Sequence, residues 1–560
     1  MDITLIPNPK SGQLERNKQK VASAYSSDFT SNSNKLYNLE AVQLWLQGRE
    51  AWNQWVNENP ECDVDFSEVD FGYLRKFTER GEIDFSFYNF PKGDIDFSEV
   101  EFGDGNMSFS RSNFGDGNMS FSRSNFGNGN TNFSKTNFGN GKADFSFTHF
   151  GDGSADFSET NFGDGNVNFF EANFGDGRAR FYGANFGDGY VNFSNANFGD
   201  GSASFYGANF GDGSASFYGA NFGDGSVNFS DANFGDGSAD FSGANFGDGY
   251  VNFSYANFGN GIADFSRTNF SNGDVDFIEA NFGDGSVDFS DANFGDGSAD
   301  FSGANFAGGH VSFIYTQSNG NVVFIDLRKP DKITSFSLLG ASINGLLSLS
   351  NNTFHCVPDL TETNIKHDVE LQTLSVNLQR ERLDWKGLWM KKALDTKDIQ
   401  RLRKLKQIAE NNKHHEAALR FHADEMRAKR WHKKEDGGLG VFGSVLDLLY
   451  SAICNYGQSI AKPLITLIAT WFAFFPLYWT LTKDVFTKDT FAAENVADLF
   501  VFTATNSIPF IPVAKKVRDI AYASFFDESA LLFSVMSFQA IVSLACIFLI
   551  GLGFRNRFRI

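Results

Sequence analysis

The chain has 560 residues, with 68 acidic and 47 basic side chains and a formal net charge of −21. We find no nucleophile elbow, phosphate-binding loop, zinc-ligand set or nucleotide fingerprint, so we expect neither an enzyme nor a bound cofactor, and no nucleic-acid partner. The four cysteines lack the spacing of disulfide or metal sites, which fits a reducing compartment. They are Cys62, Cys356, Cys454 and Cys546.

The first 37 residues are rich in Ser, Asn and Lys, which predicts a disordered segment over residues 1–37. No apolar run follows the start, so we expect no signal peptide. Trp45, Trp52 and Trp55 then fall on one helical face. This stripe predicts a capping helix over residues 38–60 that covers the first coil of the segment after it.

Phenylalanine recurs from Phe85 to Phe313 at alternating spacings of five and seven residues. A typical unit reads Ala-Asp-Phe-Ser-Gly-Ala-Asn-Phe-Gly-Asp-Gly-Ser, in which apolar residues lie two apart, as in a β-strand. A fixed period predicts stacked units, hence a mainly β solenoid over residues 61–313 with degenerate repeats and a cap over residues 314–379. The predicted core ladder includes Phe85, Phe90, Phe97, Phe102, Phe241, Phe246, Phe301 and Phe306.

The five-residue steps, such as Ala-Asp-Phe241-Ser-Gly, resemble the unit of the pentapeptide-repeat family, Ala-(Asp/Asn)-(Leu/Phe)-X-X. The seven-residue steps have two residues more. The resemblance implies a right-handed, four-sided β-helix with two twelve-residue units per coil, and it favours this form over a two-sided solenoid with one unit per coil. At about 4.8 Å per coil, the segment from Phe85 to Phe313 would be about 46 Å long in the first form and about 91 Å in the second.

The Gly-Asp-Gly corners allow two interpretations. A ladder of carboxylates could bind divalent cations such as calcium, or Asp could serve there as a turn residue. Asparagine takes the place of this aspartate in four units and would keep the turn but lose the charge, which favours the turn interpretation over a cation site. These residues are Asn128, Asn140, Asn260 and Asn272. The aspartates concerned include Asp104, Asp116, Asp152, Asp164, Asp176 and Asp188.

Residues 380–440 are basic and have a helical apolar stripe, which predicts juxtamembrane helices. The stretch from Asn411 to Arg427 resembles a motif that follows the repeats in membrane-anchored bacterial members of the family. His415, His422 and Glu425 share one face and are candidates for a metal or general-base site. A solvated helix face is the favoured interpretation, so we expect no metal.

Residues 441–560 are predicted to form a membrane domain. The segments 461–481 and 529–554 each have the length and apolar composition needed to cross a bilayer. Basic residues precede the first span and follow the second, which places both termini and the solenoid in the cytoplasm by the positive-inside rule. The resemblance implies the inner membrane of a bacterium, and the membrane domain could also mediate homo-oligomerisation.

The apolar segment 496–512 lies between the two predicted spans and is interrupted by prolines. It predicts either a re-entrant pore helix or, preferably, a helix on the membrane surface. If it lined a pore, its polar groups would be Asp498, Thr503, Thr505 and Asn506.

Three functions follow from these patterns. The first is a membrane protein that presents the acidic solenoid as a scaffold for an unknown protein partner. The second is a two-span ion channel or transport component with the solenoid as its regulatory domain. The third is a DNA mimic that binds topoisomerase, as soluble members of the family do; the membrane anchor disfavours it.

Overall fold

A computed structural model describes residues 34–67, 69–385, 388–482, 493–508, 510–527 and 529–557. Most of the segment predicted to be disordered, residues 1–33, therefore lies outside the described residues. The chain divides into two compact units, Met1–Asn377 and Leu378–Ile560.

The first unit is a β-solenoid of very short parallel strands, which alternate along the chain between two sheets of 13 described strands each. In the first sheet the strands are Lys35–Tyr37, Asp63–Asp65, Ile95–Asp96, Met119–Ser120, Ala143–Asp144, Val167–Asn168, Val191–Asn192, Ala215–Ser216, Ala239–Asp240, Ala263–Asp264, Val287–Asp288, His310–Ser312 and Ser335–Ser337. In the second they are Ile83–Asp84, Met107–Ser108, Thr131–Asn132, Ala155–Asp156, Ala179–Arg180, Ala203–Ser204, Val227–Asn228, Val251–Asn252, Val275–Asp276, Ala299–Asp300, Val322–Val323, Leu347–Ser348 and Val369–Glu370.

The register of these strands gives the size of the coil. Val167 pairs with Val191, and Ala179 pairs with Ala203, so each strand of the regular part pairs with the strand two twelve-residue units further on. One coil therefore contains two units, and the segment from Phe85 to Phe313 is about 46 Å long at about 4.8 Å per coil. Beyond His310 the offset varies, as in the pairing of Leu347 with Val369.

Two further ladders run along the solenoid through the Asn of the Ala-Asn-Phe triplets. Asn161 forms a bridge with Asn185, and Asn185 with Asn209, so this offset is again two units. The Nδ2 of Asn185 donates to Oδ1 of Asn161 over 2.9 Å, and the Nδ2 of Asn209 donates to Oδ1 of Asn185 over 2.9 Å. Each coil is thus hydrogen-bonded to the next along four ladders, two of them reinforced by stacked amides.

Stacked phenylalanine rings fill the core. The rings of Phe181 and Phe205, one coil apart, are parallel with centroids 4.8 Å apart, whereas Phe205 meets Phe217 of the other ladder edge-on at 5.4 Å. Both arrangements are favourable for aromatic pairs. All eight phenylalanines proposed for the core ladder, Phe85 to Phe306, are buried there. Burial of each side chain contributes about 1.5–3 kcal/mol before entropy is subtracted.

The N-terminal end of the solenoid is covered by two helices, not by the single helix expected over residues 38–60. Helix α1 spans Asn38–Leu46 and α2 spans Arg49–Glu58. Gly48 separates them because its φ of +97° lies outside the helical region. Trp45 stacks on Phe85, and the indole of Trp52 stacks on Phe66. The strand Lys35–Tyr37, inside the segment predicted to be disordered, pairs with Asp63–Asp65.

The remaining elements of the first unit are small. Helix α3 spans Phe71–Leu74, followed by single turns at Arg75–Phe77, Glu79–Gly81 and Pro330–Lys332. Near the C-terminal end, a three-stranded ladder contains Gln317–Ser318, Ser342–Ile343 and Asn364–Ile365, and a pair contains Thr353–Phe354 and Ser375–Val376.

The second unit begins with an antiparallel hairpin of Arg380–Trp385 and Leu388–Ala393, where helices were expected. In the sequence, Lys-Gly separates two runs that contain Trp and Leu, and glycine favours a turn. The described residues after the hairpin form seven helices: α4 Asp398–Asn411, α5 His415–Lys429, α6 Gly440–Cys454, α7 Ala461–Trp479, α8 Ala493–Asn506, α9 Pro512–Phe525 and α10 Ala530–Arg557. Of the described helices, α7 and α10 are long and apolar enough to cross a membrane.

Candidate functional site

The second unit contains a cluster of buried polar side chains where α7, α8 and α10 meet. We call Tyr478, Thr503, Asn506, Ser507 and Gln539 the polar cluster; all five are buried. Tyr478 belongs to α7, Gln539 to α10, and Thr503 and Asn506 to α8, which Ser507 directly follows. Buried amide groups in apolar helices are costly unless they are hydrogen-bonded, so their bonding decides what the cluster can do.

Hydrogen bonds tie the members of the cluster to one another. The Nδ2 of Asn506 lies 2.9 Å from Oε1 of Gln539, 3.1 Å from Oη of Tyr478 and 3.0 Å from the carbonyl of Met536. The Tyr478 hydroxyl donates to the same Gln539 oxygen over 2.7 Å. The Nε2 of Gln539 donates to the carbonyl of Thr503 and to the hydroxyl of Ser507, each over 2.9 Å.

An apolar shell surrounds the cluster. Leu499, Phe502, Phe526 and Leu532 are buried around Tyr478, and the Phe502 ring meets the Tyr478 ring edge-on at 5.1 Å. The polar groups thus satisfy one another inside a hydrophobic core. This arrangement fastens three helices together, as interhelical hydrogen bonds do in membrane bundles.

The segment 496–512 contains most of α8 and the first residue of α9. Of its four candidate lining groups, Thr503 and Asn506 belong to the polar cluster. Asp498 is exposed, and the Thr505 hydroxyl donates to the carbonyl of Phe502 on its own helix over 3.0 Å. The structure therefore does not bring the four groups together.

Sequence reasoning missed Tyr478 and Gln539 as members of the cluster. Gln539 did give a signal, because an amide side chain in the middle of an apolar span is rare and marks an interaction. Tyr478 stands at the end of its span, where tyrosine is common as an interfacial aromatic, so its position gave no such signal. Only the packing of α7 against α10 shows that its hydroxyl points to Gln539.

Two of the three candidate metal residues, His422 and Glu425, lie at a charged contact between α4 and α5. The Glu425 carboxylate, 3% exposed, accepts hydrogen bonds from Nζ of Lys429 over 2.7 Å and from Nε of Arg403 over 3.2 Å. Nδ1 of His422 lies 4.0 Å from it, and His415 is exposed at the start of α5. Across the described ranges, no group of three or more His, Cys, Asp or Glu residues could hold a metal ion.

The titration of this contact follows from its surroundings. Burial would raise the pKa of Glu425, but the hydrogen bonds from Lys429 and Arg403 outweigh it and hold that pKa below its ordinary value. Burial, together with the charge of Lys406, lowers the pKa of His422. The folded protein therefore favours a charged Glu425 and a neutral His422.

A second buried charge contact anchors α6. The Arg430 guanidinium forms an ion pair with Asp447 and donates to the Tyr456 hydroxyl over 2.7 Å. That hydroxyl donates to Asp447 over 2.8 Å, and burial first, then this carboxylate, raises the pKa of Tyr456 to about 12. The opposite face of α6 is apolar and exposed; the side chain of Phe442 is 78% accessible.

The corners on the outer surface of the solenoid show what their aspartates do. The Oδ1 of Asp176 accepts the backbone N–H of Asp200 over 3.1 Å, one coil further on. Asn260 keeps this role, since its Oδ1 accepts the N–H of Asp284 over 3.1 Å. The corner side chain therefore links successive coils whether or not it is charged.

We compared the chain with known proteins. No family model matches it, and neither the curated proteins nor the solved structures contain a significant match.

Proposed function

We propose that the chain is an integral membrane protein that presents its β-solenoid as a scaffold for a protein partner. The observation that carries the proposal is the combination of two apolar helices, α7 and α10, with a solenoid whose variable side chains face outward. The resemblance of the five-residue steps supports a bacterial pentapeptide-repeat protein of the inner membrane. The four hydrogen-bonded ladders per coil support a four-sided β-helix, and the family resemblance supports a right-handed one.

Exposed apolar side chains support membrane insertion. Phe472 on α7 and Ile541 and Phe548 on α10 are each about two-thirds exposed, with values of 65%, 67% and 69%. Large apolar patches on a soluble surface are unfavourable, whereas lipid tails would cover these side chains. The exposed face of α6 suits a helix that lies in the membrane interface next to the first span.

The scaffold proposal rests on how the solenoid divides its residues. Phe, Ala and Val face inward in unit after unit. The outward corner residue differs between coils, since the place of Tyr255 is taken by Arg111, Lys135 and Asp231 in three other coils. A surface that varies over a constant core is suited to recognition by side-chain identity. Exposed tyrosines such as Tyr255 and Tyr218 are residues that interfaces favour.

Cell fractionation tests the membrane part of the proposal. The full-length protein should stay in the membrane pellet after an alkaline carbonate wash and need detergent for release. Protease added to intact spheroplasts should leave the solenoid uncut, whereas protease added to inverted vesicles should digest it if it is cytoplasmic. Release by carbonate would refute membrane integration, and digestion in spheroplasts would refute the orientation.

A matched pair of variants tests the scaffold part. Tyr255→Ser and Tyr218→Ser change only outward corners, and serine is compatible with the solenoid surface. Any specific partner that is cross-linked to the full-length protein should be lost from at least one of them without a change in thermal stability. Reproducible ion flux in liposomes that depends on Asn506 would instead support the channel alternative; the mutual hydrogen bonds of the polar cluster lead us to expect none.

A further inference from the structure

A pocket lies in the second unit where α5, the α6–α7 connection and the end of α10 come together. Its volume is about 270 Å³. Arg420 of α5 and Arg557 of α10 line it, together with Gln458 of the connection, Asn556 and Glu416. None of these residues belongs to the polar cluster or to the charged contacts of Glu425 and Arg430.

The two arginines of the pocket form no ion pair with any described residue, although Glu416 contributes one opposing carboxylate to the lining. Burial raises the pKa of Asp424, and the charge of Arg420 offsets this only in small part, because the carboxylate is hydrogen-bonded to Arg427. The Nε of Arg420 is buried, and no described residue accepts its hydrogen bond. A guanidinium that lines a pocket without an anionic partner among the described residues favours an anion in that pocket.

The walls of the pocket are held by hydrogen bonds between its elements. The Nε2 of Gln458 donates to the carbonyl of Leu419 over 2.8 Å, and the Nδ2 of Asn556 donates to the carbonyl of Gly457 over 3.3 Å. The Oε1 of Gln458 also accepts from Nδ2 of Asn455 over 3.0 Å. Because these bonds fix α5 and α10 to the same connection, the helices that contain the two arginines are in place before any ligand binds.

The pocket lies at the ends of both apolar helices, since α7 begins at Ala461 and α10 ends at Arg557. If α7 and α10 span a bilayer, as proposed above, the pocket is level with the lipid headgroups on that side. Basic pockets between helices at this level bind anionic headgroups. Guanidinium groups match the oxygens of a phosphate in geometry as well as in charge.

We propose that this pocket binds a phosphate group through Arg420 and Arg557, either that of an anionic phospholipid or that of a soluble phosphate. The lipid form rests on the proposed function, whereas the soluble form does not. The volume admits a headgroup but not the acyl chains, which would lie along the exposed apolar surface of α10.

Native mass spectrometry of the full-length protein in detergent tests the proposal with three probes: phosphatidylglycerol, phosphatidylcholine and inorganic phosphate. We expect phosphatidylglycerol to bind at least tenfold more tightly than phosphatidylcholine. Arg420→Gln should weaken that binding at least tenfold, because it removes a charge-assisted hydrogen bond. Arg555→Gln is the matched control, since it removes an equal charge from the same end of α10 outside the pocket.

A second variant guards against misfolding. Glu416→Gln removes the opposing carboxylate and should tighten binding several-fold, a gain that an unfolded protein could not show. If inorganic phosphate binds with the same dependence on Arg420 and phosphatidylglycerol does not, the ligand is the soluble anion. The proposal is overturned if no probe depends on Arg420, or if Arg555→Gln weakens binding as much as Arg420→Gln. Failure of membrane integration would show separately in the carbonate wash.

Discussion

Two glycine substitutions in the solenoid separate close packing of the coils from backbone conformation. Gly225, in a Gly-Asp-Gly corner, has an ordinary φ, but a Cβ there would lie 2.0 Å from the carbonyl oxygen of Gly201 in the preceding coil. Gly243, in a Ser-Gly corner, has a φ of +66°, and a Cβ added there would have nothing within 4 Å. The first site is limited by space and the second by conformation.

The expected magnitudes differ accordingly. Gly243→Ala places alanine in the left-handed region at about 1–2 kcal/mol and regains about 0.4–1 kcal/mol by stiffening the unfolded chain, for a net loss of about 1 kcal/mol. Asn195 and Arg267 occupy equivalent corners with φ of 56°, so the chain already accepts side chains there. Gly225→Ala must push one backbone away from another, which costs about 3 kcal/mol, the upper end for overpacking, or more.

Urea denaturation of the full-length protein in detergent measures both losses, and hydrogen exchange with mass spectrometry locates them. Gly225→Ala should raise exchange in the coils on either side of the substitution, because each coil is held by its neighbours. Gly243→Ala should leave exchange close to that of the unmodified protein. Equal losses for the two variants, or a smaller loss for Gly225→Ala, would refute the assignment of two repeat units to one closely stacked coil.

Three further predictions concern the cap, the polar cluster and pH. Trp52→Ala should cost about 3–5 kcal/mol and raise hydrogen exchange in the first coils but not in the last ones, so uniform exchange would contradict the capping role. Asn506→Leu should destabilise the helical unit by about 1–3 kcal/mol in thermal unfolding, and an unchanged midpoint would mean that the cluster does not fasten the helices. Stability of the helical unit should fall on acidification for two reasons. The pKa of His422 is lowered in the folded protein, so His422 takes up a proton more readily when the protein is unfolded. The pKa of Glu425 is also lowered, so its stabilising effect is lost as pH falls through the folded pKa. His422→Gln should flatten the part of this decline just below about pH 6.5, and an unaltered pH profile would count against it.

The solenoid and its core followed from the sequence because every unit repeats the same apolar positions. The coil size did not follow from periodicity alone, since the two halves of a coil are nearly identical in sequence. A unit could pair with its neighbour or with the next unit but one, and only the observed pairing of Val167 with Val191 distinguishes them. The resemblance to the pentapeptide-repeat family favoured two units per coil, but this preference comes from the fold of that family and not from a pattern in this chain.

The helical unit was less predictable because its contacts depend on tertiary packing. The hairpin of Arg380–Trp385 and Leu388–Ala393 has a basic composition that also suits a helix. The polar cluster joins Tyr478 to Gln539, which are far apart in the chain, and no local pattern specifies that partnership. Similarly, no local pattern distinguishes Arg420 and Arg557 from the other basic residues that precede the first span and follow the second.

The uniform register of the coils also bears on how such a chain can change in length. An insertion of two repeat units would displace every later coil by one coil height and leave each ring, amide and corner with a partner of the same kind. An insertion of one unit would displace every later coil by half a coil height and would also keep partners of the same kind. In addition, it would rotate every later coil by half a revolution about the solenoid axis. Tandem duplication of one unit would therefore change both the length of the solenoid and the direction in which each later surface side chain faces.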